Sequence, residues 1–154
     1  MELLRLDGKF PIVLAGDHST AAGTIMGIKA AHPEKRLGVI WIDAHADLHT
    51  PYTTPSGNMH GMPLAMVSRI DNLDSKLNEP SEKTIDYWNR IKSIGGDFPK
   101  INPKDIVFIS VRDTEEPENY LIKKYGIKNF ETKEVREKGV SKVAEEALQH
   151  LKSC

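Results

Sequence analysis

Four short apolar runs divide the chain, at residues 10–15 (FPIVLA), 37–42, 106–111 (IVFISV) and 127–130, and each reads as a buried strand. Helical patterns separate them. Residues 21–32 are rich in Ala and Gly, place Ile25 and Ile28 on one face, and follow Ser19 and Thr20, either of which suits a helix cap. A second helix is predicted over 62–70. A third, over 81–94, has Ser81 as its cap, Glu82 in the first turn and Ile85, Trp88 and Ile91 along one stripe, with Gly95 and Gly96 to end it. Trp88 on that stripe is expected in the core or against a partner. Residues 117–125 form a short helix stopped by Gly126, and 132–151 a long one on which Val140, Val143, Ala144, Ala147, Leu148 and Leu151 keep helical spacing. Residues 71–80 are polar and read as a surface connection, and 1–9 are too short and mixed to begin a domain of their own. Strand and helix in alternation, with connections longer than hairpins, predict a three-layer αβα sandwich: a mostly parallel sheet with helices on both faces, in one domain spanning 1–154.

Chemistry gathers where these strands end. After the second run come Asp43, His45 and Asp47 at every second position. In extended backbone they share a face, with Ala44 and Ala46 on the other. Any one of them is an unremarkable loop residue, but three titratable groups forced together are costly unless a cation neutralises them. Carboxylate and imidazole without thiolate suit a divalent ion such as Mn, with Zn, Fe, Co or Ni possible on ligand type. His18 follows the first run at a strand-to-helix junction, beside the Asp43 row if the two strands are neighbours. Asp113 and Glu115 follow the third run and suit a charged substrate. Residues 50–61 form a polar loop rich in Pro, Thr, Ser and Gly, at the end of the sheet where substrate contacts are expected, and His60 is its candidate proton carrier.

Other chemistries find no support. Gly16, Gly23 and Gly27 lack the dinucleotide-loop spacing, and no phosphate-binding G-K-[ST] occurs. With 21 Lys and Arg against 22 Asp and Glu, the net charge of -1 gives no reason to expect a nucleic-acid or anionic-membrane partner, so a small-molecule substrate is expected. The single cysteine, Cys154, excludes an internal disulfide framework and fits a reducing compartment. No run has membrane-spanning length and the start has no signal-peptide pattern, so the expected location is the cytoplasm.

Three blocks, Gly16-Asp17-His18-Ser19, the D-A-H-A-D run of 43–47 and S-G-N-M-H-G-M-P at 56–63, resemble the ureohydrolase (arginase) family of binuclear manganese hydrolases. The third block is closer to arginases proper than to agmatinases or formimidoylglutamases, and the resemblance runs along essentially the whole chain. It implies an arginase-like α/β fold, two Mn(II) per complete site, hydrolysis of L-arginine to L-ornithine and urea, and a homo-oligomer in the full-length form. His18, Asp43 and Asp47 look like ligands of one ion, and Asp43 with His45 ligands of the second. His60 looks like the proton shuttle. Ser56 and Asn58 match positions that hold the substrate's α-carboxylate, while Glu115 falls where the family has an acid near the α-amino group, and Asp113 is assigned to substrate with it. In two places the chain departs from the pattern: His49 stands where arginases usually have an Asn touching the substrate carboxylate, and Glu115 is one methylene longer than the usual Asp. Family members also begin with a further strand and helix, and continue into a strand with an S-F-D-x-D motif that completes both metal sites. Four ligands cannot satisfy two six-coordinate ions. The alternatives are therefore a non-catalytic piece binding at most one metal, inactive alone, or a related enzyme acting on another guanidino compound.

Overall fold

The computed structural model describes residues 11–153. Its elements run α1 (Thr20–Ala31), β1 (Val39–Ile42), α2 (Pro63–Ser68), α3 (Glu82–Lys92), β2 (Ile106–Ile109), α4 (Glu116–Tyr125), β3 (Lys128–Phe130), α5 (Thr132–Lys138) and α6 (Val140–Ser153). The three strands form a parallel sheet in the order β1-β2-β3, with Trp41 paired to Phe108 and Ile109 to Phe130.

Alternation along β2 divides the core. Ile106 and Phe108 pack with Trp41 against Ile25 and Met26 of α1, Leu64 to Val67 of α2, Trp88 of α3 and Leu121 of α4. Val107 and Ile109 face the opposite way, against Val143 and Ala147 of α6 and Val135 of α5. The expected sandwich is present, with four helices on one face and two on the other. Cover on the second face does not extend over β1, where Ile40 is 36% and Ile42 75% exposed.

Local chemistry explains the helix ends. Ser81 accepts a hydrogen bond from the Thr84 amide and starts α3 as expected, and Trp88 is buried, its indole N–H donating to Asp71. Asp71 also pairs with the buried Lys92, so the connection over 71–80 is anchored at its start. Neither Ser19 nor Thr20 caps α1 through its side chain; the Asp17 carboxylate accepts from the Ser19 amide and hydroxyl instead.

Two expected elements differ. Residues 11–15 are not a strand, and Ile12, Val13 and Leu14 are 79%, 56% and 94% exposed; Phe10 lies outside the described residues. An apolar run becomes a strand only with a ladder partner, and among the described residues β1 pairs only with β2. The long helix over 132–151 is two helices, because Gly139 has φ 81° and ψ 151°, a conformation open almost only to glycine. Among the described residues no helix is long and apolar enough to cross a membrane.

Candidate metal centre and adjoining cleft

β1 delivers the centre and β2 fastens it. The Asp43 amide continues the ladder by donating to the Ile109 carbonyl, and the Ala44 carbonyl accepts from both the Arg112 and Asp113 amides. Backbone direction then changes. Residues 43–45 bend, and Asp47 takes a left-handed φ of 50°. This corrects the expectation of one extended row: Asp43, His45 and Asp47 do not alternate along a strand. Their carboxylates and rings are arranged by the turn. Three further bonds hold it there: Leu64 N to the Asp47 carbonyl at 3.1 Å, Leu48 N to Glu118 Oε1 at 3.1 Å, and His49 N to the Gly61 carbonyl at 2.9 Å.

His18 reaches the same point from the turn before α1, although among the described residues the segment ahead of it pairs with no strand. Its ring stacks on Trp41, with centroids 4.5 Å apart and planes 15° from parallel. Its Nδ1 lies 3.3 Å from Asp43 Oδ2 and 3.0 Å from Asp47 Oδ2, and one ligand atom from each of the three residues falls within 4.8 Å of the others. His45 sits on the other side of Asp43, its Nδ1 3.4 Å from Oδ1, while its Nε2 faces Asp113 at 3.4 Å. Asp43 thus presents one oxygen to His18 and the other to His45.

The electrostatics are those of crowded, partly buried carboxylates. Asp47 is 5% exposed, and burial pushes its carboxyl up to about 6, with His18 opposing the rise and Asp43 and Glu118 adding to it. Its Oδ2, although close to His18, makes no hydrogen bond. A buried carboxylate oxygen without a donor, facing another carboxylate and an imidazole, fits a divalent cation with oxygen and nitrogen ligands.

Beside this centre lies a cleft of about 240 Å³. Its walls bring together His45, Asp47, His49, Ser56, Asn58, His60, Asp113 and Glu115, all expected site residues. His18 and Asp43 do not line it. Ser56 to His60 are exposed, with Gly57 at φ 76° turning the loop and its amide donating to Thr54 Oγ1. His60 occupies a short 3-10 turn, Met59–Gly61, across from Asp17, whose carboxyl is held low chiefly by the Ser19 hydroxyl and amide and further by His60 and His18.

Sequence reasoning missed one residue here. Glu118 is 3% exposed, accepts from Leu48 N, and accepts from Glu115 N at 3.2 Å, tying the first turn of α4 to the metal loop. The acid three places after Glu115, at the start of a helix, was the available signal.

An α/β protein with a carboxylate–imidazole centre at the carboxyl ends of parallel strands is the class that this fold and site define. Comparison with known proteins narrows it. The Arginase family model matches residues 2–154, and the chain belongs to that family. It is 41% identical over 148 residues to Arginase-1 of Homo sapiens, covering 96% of this chain and 41% of that protein. Against the arginase of Bacillus caldovelox it is 44% identical over 145 residues, covering 94% and 42%. The crystal structure of arginase from Bacillus subtilis subsp. subtilis str. 168 superposes with a TM-score of 0.76 at 41% identity, over 96% of this chain and 44% of that one. The chain thus spans about two fifths of the length of the curated relatives it matches.

Proposed function

We propose that the cleft serves arginase-type hydrolysis of a guanidino group, with L-arginine as substrate and L-ornithine and urea as products. The observation that carries this reading is the placement of His18, Asp43 and Asp47, with ligand atoms within 4.8 Å, against a cleft lined by Ser56, Asn58, His60 and Glu115. The relatives bear the name arginase, which supports it.

His18, Asp43 and Asp47 would hold one Mn(II), and Asp43 with His45 a second. When bound, such a pair of ions supplies a hydroxide nucleophile at neutral pH, which the delocalised and cationic guanidinium carbon requires. The chain's own residues do the rest. Ser56 and Asn58 bind the substrate's α-carboxylate, which disfavours agmatine, a compound without one. Asp113 and Glu115 hold the α-amino end. His60, exposed at the cleft, passes a proton to the departing amine, a task suited to an imidazole, which can hold and release one. His60→Ala lowers turnover by about 100-fold if it does so.

A second reading has its own observation: among the described residues only three side chains converge as a ligand set. On that reading the chain binds one cation and releases no urea. Titration of the purified chain with Mn(II), with the bound ions counted and urea release from L-arginine assayed, separates them. Two ions with turnover support the first; one ion without urea supports the second.

A further inference from the structure

The chain's two departures from the arginase pattern, His49 and Glu115, come into contact in the folded molecule. His49 is 8% exposed, and each of its ring nitrogens faces a polar neighbour. Nδ1 lies 3.2 Å from Thr53 Oγ1. Nε2 lies 3.6 Å from Glu115 Oε2 and 3.5 Å from Glu118 Oε2.

Thr53 Oγ1 accepts from the Thr50 amide at 3.0 Å, and its own hydrogen has two neighbours, Thr50 Oγ1 at 3.5 Å and His49 Nδ1 at 3.2 Å. With Nδ1 accepting that hydrogen, the ring's proton sits on Nε2 and faces the two acids, whereas the opposite tautomer turns an Nε2 lone pair toward two carboxylates.

The two acids differ in how firmly they are held. Glu118 is buried, with one oxygen on Leu48 N and the other on Glu115 N. Glu115 has a side chain 51% exposed and one more torsion than Asp, so left alone its carboxylate would sample several rotamers. Its 3.6 Å separation from Nε2 is too long for a hydrogen bond, and a movement of roughly 0.5 Å makes one. Contacts of this kind in unliganded sites commonly tighten when ligand binds.

We propose that His49 is a positioning residue: its Nε2–H draws the Glu115 carboxylate back over the cleft, so that the longer acid reads the ligand's α-amino group. This rests on the proposed arginase-type site for the identity of the ligand, but the His49–Glu115 contact stands independently of it.

The test uses the Mn(II)-loaded chain and calorimetric binding of two probes, L-ornithine and δ-aminovalerate, the same molecule without the α-amine. His49→Leu removes the Nε2 donor without adding a group that could touch the ligand's carboxylate; His49→Gln restores a donor at the reach of Nε2. His49→Leu is expected to weaken L-ornithine about tenfold, the worth of one charge-assisted hydrogen bond, and to leave δ-aminovalerate unchanged. His49→Gln recovers most of that loss. Equal weakening of both probes, or a Gln variant no better than Leu, overturns the proposal. Should L-ornithine fail to bind the parent chain, the proposed function falls, and heteronuclear NMR of the His49 imidazole still judges the contact. A proton on Nε2 whose resonance moves in Glu115→Ala upholds it; a proton on Nδ1, or an unmoved Nε2 signal, refutes it.

Discussion

Replacing Asp47 by Asn is expected to stabilise the metal-free chain and to abolish cation binding at the proposed centre. The carboxyl is 5% exposed, its Oδ2 accepts no hydrogen bond, and burial raises it from the ordinary 3.8 to about 6. A rise of about two units corresponds to about 3 kcal/mol against the charged form in the folded state. The sign follows from the direction. Below about pH 4 the carboxyl is protonated whether the chain is folded or not, and nothing is lost. As pH climbs through the window between the two values, the unfolded chain ionises first and folding stability falls. Above about pH 6 the full penalty is present. Asn has nearly the same shape, carries no charge and tolerates the left-handed φ of 50° at this position. In urea denaturation with a chelator at neutral pH, Asp47→Asn is therefore expected to be more stable by up to about 3 kcal/mol, and to show none of the parent's decline with rising pH. Mn(II) at about a thousand times the dissociation constant reverses the order, since only the parent gains from binding, by about 4.1 kcal/mol there. A variant less stable than the parent under chelator, or a parent whose stability does not fall across the window, would refute the reasoning.

Two further substitutions test the scaffold. The Arg36 guanidinium grips Asp105 with both arms, Nε to Oδ2 at 2.8 Å and Nη2 to Oδ1 at 2.7 Å, and Asp105 is 5% exposed. Arg36→Ala leaves a buried carboxylate without that partner and is expected to lower stability by about 3–5 kcal/mol in equilibrium denaturation, with Mn(II) binding unchanged in stoichiometry. Gly139 has open space where a Cβ would stand, so Gly139→Ala reports backbone strain alone, a loss of about 1–3 kcal/mol by the same measurement.

The strands β1, β2 and β3 were legible because an apolar run of four to six residues between turn signals has few other readings. Residues 11–15 look the same in sequence and are not a strand, because ladder formation depends on a neighbour that local pattern does not reveal. Gly139 hid between two segments that both keep helical spacing, and periodicity carried the prediction straight through it. At the site, the residue types and their closeness were readable, but the means were not. Alternation placed Asp43, His45 and Asp47 on a strand face; the molecule gathers them with a bend and a left-handed Asp47. Glu118 was overlooked because its partner, the Leu48 amide, lies 70 residues away, and for a like reason nothing local to His49 announces Glu115 as its neighbour.

The two margins of the sheet are unlike in a way that bears on handling. β3 is three residues long and ends its exposure with Lys128, whose ammonium lies 4.4 Å over the Phe130 ring, a charge that discourages lateral pairing. β1 reads Val-Ile-Trp-Ile without a charge, among the described residues pairs only with β2, and carries the exposed side chains of Ile40 and Ile42. Such a border is adhesive, so self-association of this chain should climb steeply with concentration, and a lysine at position 42 is the economical way to keep it dispersed.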